Sequence, residues 1–90
     1  MPINSVHDLM TALRMGKYTS VGSYPIFYLM SDGETASYDG VRSEVWRVAR
    51  AIRDRATDGW RVVGCDVNWE DSSLTCCITN QPIESAYGKD

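Results

Sequence analysis

Between Val41 and Thr57, the residues Val41, Val45, Val48, Ala49, Ile52 and Ala56 recur at intervals of three and four. Apolar side chains at that spacing fall on one stripe of an α-helix and leave the opposite side to solvent. The spacing predicts a helix of about 17 residues, entered at Asp39-Gly40 and closed by Asp58-Gly59. A helix with one oily side needs a surface to lie on, and the rest of the chain must supply it. Ninety residues suffice for one such core and no second, so the expectation is a single domain over residues 1–90.

The flanking segments supply strands. Pro25-Ile26-Phe27-Tyr28-Leu29-Met30 is an apolar run rich in β-formers, and Asp32-Gly33 separates it from the short Thr35-Ala36-Ser37-Tyr38, which predicts a hairpin. After the long helix, Trp60 to Glu70 alternates. Arg61, Val63, Cys65, Val67 and Trp69 share an inward face, and Val62, Gly64, Asp66, Asn68 and Glu70 lie opposite. Asp71-Ser72-Ser73 reads as a turn and Leu74 to Thr79 as a return strand, giving a second hairpin. A short first helix follows from Ser5 as N-cap, Val6, Leu9, Met10 and Leu13 at helical spacing, and Gly16 as stop. The expected fold class is α+β: a four-stranded antiparallel sheet of two hairpins, the long amphipathic helix on one face, a short N-terminal helix, and residues 82–90 as a C-terminal tail.

Charge narrows the function classes. The net charge of −3 divides unevenly, with six bases and three acids in residues 41–61 against one base and five acids in residues 62–90. An acidic chain is a poor match to dedicated nucleic-acid binding, which must neutralise several phosphates at once. Three cysteines, two adjacent at Cys76-Cys77, fit reduced thiols better than a disulfide framework. Met1 to Asp8 carries no basic region followed by an apolar block, and no apolar run approaches the ~20 residues of a membrane span. The expectation is a soluble, cytoplasmic protein with no membrane contact. No nucleophile and base occur in a known pattern, no glycine-rich phosphate cradle is present, and Cys65, Cys76, Cys77 and His7 match no zinc spacing. No catalytic residue, metal or cofactor is therefore assigned.

Two patches remain as partner-binding candidates. On a regular helix Arg42, Arg53, Trp46 and Arg50 lie about 60° to 140° from Val45, so three guanidiniums share a flank with an indole. That combination suits carboxylates, phosphates or a stacked base. The plainer alternative pairs Arg50 with Asp54 and uses Trp46 to close the edge of the core. The second patch is an exposed ladder of Asp66, Asn68 and Glu70 running into Asp71. It starts like a calcium loop but has Asp71 and Cys77 where glycine and glutamate are required. Three tryptophans and five tyrosines exceed what a small core absorbs, so self-association as a homodimer is also expected.

Three strings carry a resemblance: Gly16-Lys17-Tyr18-Thr19 with Tyr24-Pro25, then Asp66-Val67-Asn68-Trp69-Glu70-Asp71, then Ile83-Glu84-Ser85-Ala86-Tyr87. Together, over roughly residues 9–87, they resemble small uncharacterised accessory proteins of tailed bacteriophages and prophages. In that group a Cys-x-x-(Thr or Cys)-Gly knuckle precedes the last string; here Cys76 and Thr79 are kept and Asn80 replaces the glycine. The resemblance implies a phage origin and no activity of its own. It shifts expectation toward a non-enzymatic inhibitor that acts by stoichiometric binding to a host or anti-phage defence protein, such as a CRISPR complex. A nucleotide-sequestering sponge and a degenerate zinc-knuckle binder of single-stranded nucleic acid are the alternatives.

Overall fold

A computed structural model of the chain describes residues 1–87. The order of elements is α1 (Val6–Met15), β1 (Ile26–Met30), β2 (Thr35–Ser37), α2 (Tyr38–Ser43), α3 (Val45–Arg53) and β3 (Val62–Val67). The α+β class is as expected. The sheet, however, has three antiparallel strands in the order β2-β1-β3, and the helices number three among the described residues.

The first half follows its local chemistry. Ser5 caps α1 by accepting the Asp8 amide, and the Gly16 amide closes the helix onto the Leu13 carbonyl. Gly33, at φ 89°, turns the hairpin between β1 and β2, as type-specific turns with left-handed residues require. Ile26, Tyr28 and Met30 point inward from β1 and pack with Ala36, Leu9, Val41 and Val48.

The expected helix over 41–57 does not run through. The chain leaves helical geometry at Glu44 (φ −118°, ψ 32°), between α2 and α3. Gly40 is a poor helix former, and the Ser43 hydroxyl donates back to the Gly40 carbonyl, competing with the ladder there. Gly40 is still required: a Cβ on it would lie 2.6 Å from the Cys76 sulfur. The far end also differs. The helix stops at Arg53, because the Ala56 amide bonds the Ala51 carbonyl and the Arg55 amide bonds the Ile52 carbonyl, a Schellman closure. Arg55 holds the left-handed position at φ 53°, where a side chain costs about 1 kcal/mol relative to glycine. The break rotates the buried stripe: Val48, Ala49, Ala51 and Ile52 are buried, whereas Val45 is only half-buried.

The expected second hairpin is replaced by two long-range pairings. β3 lies antiparallel to β1, with Tyr28 opposite Cys65 and Ile26 opposite Val67. An irregularity places Gly64 opposite Leu29 and Val62 opposite Met30, so Val62 joins Cys65 and Val67 on the inward face in place of Val63. On the outer edge of β3, Pro2 bridges Gly64, and the Ile3 amide donates to the Val63 carbonyl. The segment from Leu74 to Thr79 is not a return strand beside β3. Its start folds back on residues 81–83, with Thr75 bridging Pro82, and the Cys77 amide donates to the Thr35 carbonyl at the edge of β2. Residues 82–87 are not a loose tail either. Ile83 is buried, and the Ala86 and Tyr87 amides donate to the carbonyls of Asn68 and Trp69. Residues 88–90 of the expected tail lie outside the described residues.

Candidate functional site

The basic flank expected from the sequence divides at the helix break. Arg42, on α2, donates to the Tyr38 hydroxyl at 3.2 Å with its guanidinium 5.9 Å from the ring centre. Arg47 lies over the Trp60 ring at 4.6 Å and faces Glu44 at 3.7 Å. These two guanidiniums are engaged within the molecule. Trp46, Arg50 and Arg53 are the ones brought together: with Val6 of α1 and Ala49 they line an open cleft of about 370 Å³. Trp46 is 80% exposed, so it does not close the edge of the core. Arg50 does not pair with Asp54, whose carboxylate instead receives the Arg53 Nε at 3.1 Å. That exposed contact is worth only a few tenths of a kcal/mol, about what a solvated ion pair usually gives, and leaves Arg53 available to a partner.

The acidic patch survives in part. Asp66, Glu70 and Asp71 are exposed. Asn68 is not: it is 3% exposed and belongs to the interior. The ladder fails because β3 ends at Val67, after which the chain turns and Asn68 swings inward. Its amide donates to the carbonyls of Asp71 and Glu84 at 2.9 and 3.0 Å, and its side-chain oxygen accepts the Asp71 amide. Asp71 in turn accepts from the Ser73 hydroxyl and amide, which hold its carboxyl below the usual range. Asn68 therefore pins the C-terminal segment to the sheet and is withdrawn from the partner-binding set.

Around Asn68 lies a cluster that the sequence did not announce. The Tyr24 and Trp69 rings are 4.6 Å apart, and Trp69 and Tyr87 lie nearly parallel at 6.1 Å. The Tyr18 hydroxyl donates to Glu84, and the Asn68 amide donates to the Pro25 carbonyl. The three distinctive strings, apart in sequence, thus meet in the folded chain. Tyr24 and Tyr87 are 63 residues apart, and no local pattern signals that they touch.

The thiols do not gather. Cys76 is buried and Cys77 exposed, and Cys65 is half-buried against the core. Burial pushes the Cys76 thiol up, but hydrogen bonding from Ser37 and Thr79 outweighs it and brings the thiol to about 7. Burial raises Cys65 and Cys77. Cys76 to Asn80 does form a tight turn, with the Asn80 amide on the Cys76 carbonyl and Asn80 left-handed at φ 60° where a knuckle would carry glycine. Even so, no three His, Cys, Asp or Glu side chains among the described residues are placed to hold a metal ion. No helix among them is long and apolar enough to cross a membrane. No protein-family model matches the chain, and searches of curated proteins and of solved structures found no match.

Proposed function

We propose that this chain acts by stoichiometric binding, engaging an acidic protein surface with the outward face of α3. The supporting observation is Trp46: an indole that is four-fifths exposed on a regular helix, beside two guanidiniums not committed to the core. Leaving a large ring in water has no folding benefit, whereas aromatic and arginine side chains dominate the energetics of protein interfaces. Charge complementarity favours a carboxylate-bearing partner, because Arg50 and Arg53 bring positive charge and the cleft lining includes no acid. In this reading Trp46 is the anchor and the arginines set orientation and association rate. Arg42 contributes less, being held on Tyr38, and Asp66, Glu70 and Asp71 keep the opposite sign at a separate place. The phage resemblance fits an inhibitor of a host or anti-phage defence protein.

The test uses paired baits. Full-length wild type, Trp46→Ala, Arg50→Glu and a double Asp66→Lys/Glu70→Lys variant are used for capture from bacterial lysate, with thermal melts showing that each is folded. The expected result is one partner at unit stoichiometry that is lost with the first two variants and retained with the acidic-patch variant. Capture unchanged by Trp46→Ala would overturn the reading.

A further inference from the structure

Two arginines outside both faces, Arg55 and Arg61, line a second cleft of about 360 Å³ together with Ile3, Asn4, Ile52 and Val63. No acidic residue lines it. Among the described residues neither guanidinium joins an ion pair or lies over an aromatic ring. The Arg61 Nε is shut off from solvent and has no hydrogen-bond partner. A buried N–H without an acceptor is rare, because the group forfeits its water and gains nothing in exchange.

Arg55 is the second, independent observation. It occupies the left-handed position of the α3 closure at φ 53°, a place where glycine is the relaxed choice. The two backbone bonds that end the helix need no side chain there. What arginine adds at that position is a long cationic side chain, and Arg55 lines the same cleft as Arg61. Backbone strain retained for the sake of a side chain is a feature of ligand sites.

We propose that this cleft binds the phosphoryl group of a small molecule between Arg55 and Arg61, with Asn4 as an uncharged donor. Two guanidinium forks match a doubly charged tetrahedral oxyanion, and a single carboxylate would leave one of them unmatched. The site is separate from the Trp46 cleft, which has no lining residue in common with it.

Titration calorimetry and thermal melts of the full chain, at constant ionic strength, test this with inorganic phosphate and pyrophosphate as probes and citrate as a carboxylate comparator. The expected result is saturable pyrophosphate binding that raises the melting temperature. Arg55→Gly relaxes the backbone, so it should melt at or above wild type yet bind about tenfold more weakly or worse. Arg61→Met, which keeps an apolar stem, should show the same loss, and Arg50→Gln should bind as wild type does. Should Arg61→Met fail to fold, Arg55→Gly decides alone. An absence of phosphate and pyrophosphate binding, an equal response to citrate, or undiminished binding by Arg55→Gly would overturn the proposal. So would loss of binding with Arg50→Gln alone. Arg55→Gly that only loses stability would mean its side chain serves the helix end.

Discussion

Trp46 and Trp69 are the same residue placed in opposite service. Trp46 stands on α3 with four-fifths of its surface in water, and the core beneath it closes through Val48, Ala49, Ala51 and Ile52 without its help. Trp69, 47% exposed, packs against both Tyr24 and Tyr87, and its carbonyl accepts the amide of Tyr87, the last described residue. Exposure alone does not separate the two; the contacts do. One region is built by the fold and then left open, whereas the other is what the fold uses to fasten residues 68–87 onto the sheet.

Truncation gives the widest separation. Trp69→Ala removes ring contacts to two tyrosines and should destabilise by about 2–3 kcal/mol, somewhat less than a fully buried tryptophan costs. Urea unfolding followed by far-ultraviolet circular dichroism measures it. A loss near zero would erase the distinction between the regions. Asn68→Ala should cost roughly 1–2 kcal/mol, since the carbonyls of Asp71 and Glu84 and the Asp71 amide each lose a partner in a half-buried place. Backbone hydrogen exchange should then speed up at Ala86 and Tyr87, whose amides bond to residues 68 and 69, before it does in α3.

Cys76 gives the same fastening a pH dependence. Its thiol loses its proton at about 7 in the folded chain, below its ordinary value of 9.0. A depressed acid stabilises the fold above the unfolded value and loses that contribution as pH falls through the folded one. Stability should therefore rise by about 1 kcal/mol between pH 7 and 8, and Cys76→Ser, which does not titrate there, should flatten the rise. An unchanged slope in the serine variant would assign the dependence to another group.

These differences explain what could be read from the residues. Short-range chemistry was legible: Ser5 and Gly16 bound α1, Gly33 turns the first hairpin, and Trp46 with Arg50 and Arg53 emerge on one exposed flank as the helical spacing requires. What failed had non-local causes or the wrong residue at a signal position. The residues point to closure of this helix at Asp58-Gly59 because Arg55 fills the left-handed position where glycine normally signals a stop. The pairing of β3 with β1 spans the whole long-helix region, and the bulge beside Leu29 reverses the strand's inward parity at Val62. Asn68 reads as exposed because the alternation of the residues continues to Glu70, three residues beyond the end of β3 at Val67. The aromatic cluster depends on a C-terminal segment whose route no periodicity records.

The smallest effect on stability is the most informative about function. Trp46→Ala should change the free energy of unfolding by less than about 0.5 kcal/mol, because the ring has no aromatic contact among the described residues and its helix is anchored from the other side. Its replacement should also remove the most red-shifted and most quencher-accessible part of the tryptophan emission, leaving Trp60, covered by Arg47, and Trp69, shielded by its tyrosines. A cost above about 1.5 kcal/mol would place the indole in the folding balance and remove the reason to regard it as an anchor held ready for another molecule. A near-zero cost with intact secondary structure would show that the indole takes no part in the folding balance, as the proposed anchor role requires.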